Sequence, residues 1–136
     1  MRTYRRFKKG IQEENYLTIV KSFKLRKNIC RLRISSHNLA IETGRHRRPI
    51  KIAPHLRFCT DCHAGQVGDE EHIIMNCQKF NTERQQLFNH LGGTSTTFNS
   101  LSEGEKFVYV MTMNNVNTVE PIILYINSVI LKRGNF

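Results

Sequence analysis

Three of the four cysteines in this chain, and two of its histidines, His63 and His72, fall within the stretch CTDCHAGQVGDEEHIIMNC at positions 59–77. The spacing is Cys59-x2-Cys62-x9-His72-x4-Cys77. Thiolates and a neutral imidazole are the donors a soft or borderline divalent metal selects, and structural zinc sites commonly take them as two close pairs. Two residues between Cys59 and Cys62 allow a tight turn whose amides face the sulfurs, and Gly65 just beyond supplies free φ. His72 and Cys77 make the second pair. Four good donors close a tetrahedron and leave no position for water, so the chemistry expected is structural zinc (a zinc finger of CCHC type) rather than catalysis. Three buried thiols with an unrelated histidine are the plainer alternative. His55 and His63 flank the first pair and could replace His72 as fourth ligand. Cys30 stands apart and reads as a small buried hydrophobe.

The elements around this cluster must place the ligands. GDEEH suggests a turn at Gly68, an N-cap at Asp69 and acidic residues in a first helical turn. His72 would then open a short helix carrying Ile73, Ile74 and Met75. Five residues of α-helix rotate by about 500°, so His72 and Cys77 would not share a face. The helix is therefore expected to stop before Cys77, with Asn76 as a left-handed cap. Upstream, residues 12–20 suit a helix with Tyr16, Leu17 and Val20 on one side. A second helix is expected from Phe23 to about Ser35. Leu25, Ile29 and Leu32 form one stripe and Phe23, Cys30 and Ile34 another, so it would thread the middle of the fold. Positions 35–55, with Gly44, Pro49 and Pro54, read as an irregular connector. Downstream, Thr82–Gln85 and Ser102–Glu105 match capping boxes opening helices with Leu87, Phe88 and Leu91, then Phe107, Val110 and Met111. GGTSTTFNS reads as a loop and positions 114–118 as a turn. Pro121 suits the first turn of a last helix with Ile122, Ile123, Ile126, Val129 and Ile130 on one face.

Charge divides the 136 residues sharply. Positions 1–58 hold 16 Lys and Arg against 3 Asp and Glu, a formal +13; positions 59–136 hold 5 against 8, a formal −3. A polyanionic partner, RNA or DNA, fits such asymmetry, with largely sequence-independent phosphate contacts. The densest clusters are YRRFKK, with Arg5, Arg6, Lys8 and Lys9, and RHRRP, with Arg45, Arg47 and Arg48. Lys24, Lys27 and Arg31 share a sector of the second helix, and Lys51 follows the connector prolines. A solvated basic surface is the plainer alternative for each. The first fifteen residues lack the apolar run of a signal peptide. The longest apolar run, Pro121 to Leu131, is too short for a bilayer, which needs about 20 residues. No membrane partner is expected, the compartment expected is intracellular (nuclear or cytoplasmic), and the thiols there stay reduced.

With its flanks, the cluster resembles the zinc-binding segment that follows the reverse transcriptase domain in non-LTR (LINE-type) retrotransposon polyproteins. The resemblance rests on CTDC, on DEEHIIMNC followed by Phe80 and Arg84, and on the upstream FKLRKNICRLRISSHNLAIETGRHRRP. It runs from about Tyr4 to about Leu91. It implies a detached C-terminal piece of such a polyprotein, helping to hold RNA or target DNA. The expected fold is mostly α: one small irregular helical domain over 1–136, organised around one zinc site. Positions 1–58 would form its basic helical region and connector, 59–77 the metal site and 78–136 the C-terminal helices. No carboxylate pair or Ser/His/Asp arrangement suggests an enzyme. The alternative is a protein-interaction module, docking on a polymerase domain or other protein through its apolar last helix.

Overall fold

The computed structural model describes residues 3–134, which fold into seven α-helices joined by short 3-10 and π turns. They are α1 (Tyr4–Phe7), α2 (Asn15–Ile19), α3 (Phe23–Arg33), α4 (Ala40–His46), α5 (Asn81–Thr94), α6 (Glu103–Thr112) and α7 (Val116–Arg133). Among the described residues there is no strand, only an isolated antiparallel bridge between Phe58 and Val67. The fold is therefore mostly helical, as the periodicities imply, with the Cys and His cluster set between α4 and α5.

The helix at the centre is α7. Val119, Ile122, Ile123, Tyr125, Ile126, Val129 and Ile130 are all buried on it, and it packs against α5, α3 and α2. Each fully buried aliphatic side chain of this kind contributes about 1.5–3 kcal/mol. The central position expected for α3 is thus a correction. Only Ile29, Leu32 and Arg33 of α3 are buried, whereas Phe23 is 72% exposed, so α3 lies against the core on one side. Its start is fixed by Ser22, whose hydroxyl accepts the Leu25 amide.

Several boundaries also move. The expected helix over 12–20 is confined to α2, with Tyr16 and Val20 buried but Leu17 exposed. The expected connector contains α4, whose Gly44 packs so closely on Arg57 that a Cβ there would lie 2.8 Å from that side chain. The Thr82 capping box does not form, because α5 begins two residues earlier than that box requires, at Asn81, without a side-chain cap. Helix α5 runs through Gly92 and Gly93 to Thr94, shortening the expected loop, and Phe98 then turns inward against Phe88 and Tyr109. The Ser102 box is complete: Ser102 accepts the Glu105 amide, and the Glu105 carboxylate accepts the Ser102 amide at 2.8 Å. Asn115 caps α7 five residues earlier than expected from Pro121, absorbing most of the expected turn. Pro121 then sits in the second turn, where its missing N–H frees only the carbonyl of the exposed Asn117.

A buried arginine locks the N-terminal segment to this core. Arg33 donates to the Met111 carbonyl at 2.6 Å and to the Glu14 carboxylate at 2.8 Å. Its guanidinium lies over the rings of Phe7 and Tyr16 at 4.7 and 5.1 Å. Sequence periodicity counts Arg33 as one more basic residue; its burial is a packing outcome.

Candidate metal centre

The first ligand pair sits on a turn of extended backbone. The Cys59 amide donates to the Gln66 carbonyl at 2.7 Å and the Gly68 amide to the Arg57 carbonyl at 2.9 Å. The chain reverses between them through two left-handed residues, His63 at φ 56° and Gly65 at φ 69°. Gly65 thus supplies the positive φ expected of it. Gly68 serves a different need: a Cβ there would lie 2.8 Å from the Cys59 Cα. Only a residue without a side chain lets the two arms of the turn approach so closely.

The second pair sits on a π turn. Asp69 caps it, accepting the His72 amide at 2.9 Å through Oδ1. Residues His72–Asn76 then form a π-helix, and the Cys77 amide donates to the His72 carbonyl at 2.7 Å, five residues back. This corrects the expected left-handed cap at Asn76. The helix does end before Cys77, as expected, but through a π closure that brings Cys77, five residues on, back beside His72. Cys77 leaves in extended backbone at φ −61°, ψ 121°. Two distant side chains satisfy carbonyls at this turn: Tyr125 donates to Ile74 at 2.6 Å, and both Nη atoms of Arg84 donate to Cys77 at 3.1 Å.

Cys59, Cys62, His72 and Cys77 are thereby gathered, with their donor atoms all within 4.8 Å of one another. Cys62 Sγ lies 3.3 Å from His72 Nε2. Metal–ligand bonds of about 2.3 Å to sulfur and 2.0 Å to nitrogen place a tetrahedral S···N pair about 3.5 Å apart. The cluster therefore fits a single metal ion and is compatible with one zinc site. Cys59, His72 and Cys77 are buried, with Cys62 at the rim. The flanking His55 and His63 are exposed and stand outside the cluster.

The electrostatics suit a cation that displaces protons. Burial pushes the Cys77 thiol up to about 12 and raises Cys59 as well. Burial also pushes Cys62 up, but donors including the Ala64 amide and Cys59 outweigh it and bring Cys62 down. Burial lowers His72, keeping its imidazole neutral and able to ligate. A bound divalent ion supplies the charge that lets the buried thiols ionise, so binding releases protons.

Carboxylates beside the cluster are occupied. Asp61 receives Arg133 Nε at 2.7 Å and Lys79 at 3.1 Å, which ties the metal turn to the end of α7. Glu71 pairs with Arg6, whose guanidinium also covers the Phe107 ring. Glu70 is buried, and accepts Ser35 Oγ at 2.6 Å while lying 2.9 Å from His37 Nε2. Burial alone would raise Glu70, but these two partners outweigh it and hold its carboxyl below the usual range. No local pattern signals this Ser35–His37–Glu70 link between the α3–α4 connection and the metal helix. The pairing joins positions more than thirty residues apart, and Glu70 by itself reads as a helix-start acid.

The expected phosphate-binding residues divide into two groups. Lys8 pairs with Glu14 at 2.8 Å and Arg31 donates to the Ser36 carbonyl at 3.0 Å, so both, like Arg6, have intramolecular partners. Arg5, Lys9, Lys24, Lys27, Arg47, Arg48 and Lys51 are exposed, as is Arg45, which lies 3.7 Å from Glu42. Arg45 and Arg47 face a groove that runs from α4 to the metal turn. Among the described residues no helix is long and apolar enough to cross a membrane. Compared with protein-family models, with curated proteins and with solved structures, the chain matches none.

Proposed function

We propose that the protein is a zinc-stabilised nucleic-acid-binding module without catalytic activity of its own, derived from the C-terminal region of a non-LTR retrotransposon reverse transcriptase. The observation that carries this reading is the junction of the two features: Phe58 and Thr60 of the metal turn line the same groove as Arg45 and Arg47. One ion would thus fold the turn and fix one side of a cationic surface. Three thiolates and an imidazole in a closed, buried set favour zinc, which is redox-inert and tetrahedral in such sites. The neighbouring carboxylates support a structural role, because Asp61, Glu70 and Glu71 each hold a cation or a hydrogen-bond donor of this chain. The formal +13 of positions 1–58 supports a polyanionic partner in the nucleus or cytoplasm.

The test is binding of short RNA and DNA at two salt concentrations, with the parent and an Arg45→Ala, Arg47→Ala, Arg48→Ala triple variant. Binding should be steep in salt, and the variant's log–log slope shallower by about one unit for each phosphate it no longer neutralises. Metal content should not change. Equal binding by parent and variant at every salt would reduce the basic connector to a solvated surface. A second reading, docking on a polymerase domain or other protein, is favoured by the exposed Leu124 and Leu131 of α7. It expects no salt-dependent nucleic-acid binding.

A further inference from the structure

The groove between α4 and the metal turn has a volume of about 1420 Å³. Small-molecule pockets run to roughly 300–1,000 Å³, so this one suits a length of polymer better than a metabolite. Arg57 shapes its wall and is committed there, donating to the Ile41 carbonyl at 2.6 Å and the Ile52 carbonyl at 2.9 Å. Arg45 and Arg47 also line the groove and remain exposed, and the acidic lining residue, Glu42, is buried beside Arg45.

An aromatic ring stands in this cationic setting. Phe58 lines the groove, is 46% exposed, and takes no part in the hydrophobic core. Its placement follows from the backbone. In the extended pairing with Val67, successive side chains point to opposite faces. Cys59 therefore turns inward to the metal cluster while Phe58 turns outward to the groove. The ligand next to it anchors the ring, and the short ribbon bonds at 2.7 and 2.9 Å hold its backbone.

We propose that this groove binds single-stranded nucleic acid, with one unpaired base stacked on Phe58 and the adjoining phosphates on Arg45 and Arg47. This rests on the nucleic-acid reading above and narrows it. A duplex keeps its base faces stacked on one another, whereas a single strand can lay a base on an aromatic ring flanked by cations. RNA and DNA strands offer the same two groups, an aromatic face and a phosphate, so the ring alone does not choose between them.

The chain contains no tryptophan, so a Phe58→Trp substitution installs a single reporter. The experiment titrates parent, Phe58→Ala and Phe58→Trp proteins, zinc-loaded and checked for equal metal content and helicity, with a mixed-sequence single strand and with its duplex, as RNA and as DNA. The single strand should bind the parent more tightly than the duplex does. Phe58→Ala should weaken single-strand binding by about 5- to 150-fold, the loss of one base–aromatic stack, and leave the duplex unchanged. Phe58→Trp should retain affinity, with its fluorescence quenched by the single strand only. If Phe58→Ala binds single strands as the parent does, or is weakened equally toward both forms, the stacking site is overturned. The phosphate-binding reading then still stands if the triple arginine variant weakens both forms. Binding of neither form to the parent overturns both.

Discussion

The Cys77 amide donates to the His72 carbonyl over 2.7 Å, and this five-residue closure sets two ligands side by side that an α-helix would hold apart. The bond makes the metal centre dependent on the fold around it. The end of a helix leaves its last carbonyls unpaired, and here Tyr125 and Arg84 supply donors from other helices to Ile74 and Cys77.

One zinc per chain is therefore expected in protein prepared with zinc present. Cys59→Ser or Cys77→Ser should release it and lower helicity, because the ion holds the two arms of the turn together. Metal analysis alongside circular dichroism checks this. Protein lacking stoichiometric metal would rule out the zinc centre.

The fourth ligand should be His72. Its Nε2 lies 3.3 Å from Cys62 Sγ, while His55 and His63 are exposed. His72→Ala should lose zinc in competition with a chelator, whereas His55→Ala and His63→Ala should keep it. Loss in His63→Ala with retention in His72→Ala would reverse the assignment.

Gly68 and Gly65 should respond differently to alanine. At Gly68 the new Cβ meets the Cys59 Cα at 2.8 Å and Ala40 Cβ at 3.1 Å, so Cys59 must shift. Gly68→Ala should cost about 1–3 kcal/mol and weaken zinc binding markedly. Gly65→Ala meets no atom within 4 Å but must adopt φ +69°, a cost of about 1–2 kcal/mol. Its zinc affinity should change less. Denaturant titration and chelator competition on both variants separate the two effects.

Removing the Arg33 guanidinium should destabilise the fold by about 3 kcal/mol, because its partners Glu14 and the Met111 carbonyl lose a buried cation. Arg33→Lys should recover less than half of that loss, since an ammonium cannot fork between two acceptors and cover two rings. Denaturation midpoints of Arg33→Ala and Arg33→Lys measure this.

Stability should also fall at high pH. Burial pushes Tyr16 and Tyr125 up to about 12, whereas tyrosines in an unfolded chain ionise near ~10. Between those values the folded state binds more protons than the unfolded one. The contribution is thus complete below pH ~10 and is lost as pH rises toward about 12. Phenolate absorbance, read without tryptophan interference and assigned with Tyr→Phe variants, follows the titration. Ionisation of both rings near ~10 with helicity intact would contradict their burial.

Much of this centre was legible in the sequence because its signals are local. The Cys-x2-Cys turn, the Asp69 cap and the Ser102 capping box each depend on residues within three positions of one another, so spacing alone reveals them. The same holds for the helical periodicity of α7 and for the concentration of basic residues before position 59. Tertiary structure decided the rest. Residues 72–77 close as a π turn whose last carbonyls, at Ile74 and Cys77, are met by Tyr125 and Arg84 from other helices, and rotation angles along the chain carry no trace of these partners. The burial of Arg33 and Glu70 likewise depends on Glu14, Met111, Ser35 and His37, brought up from other elements. A charged residue reads the same in sequence whether water or a buried partner will meet it, and only packing settles which, because burial without a partner is too costly to persist.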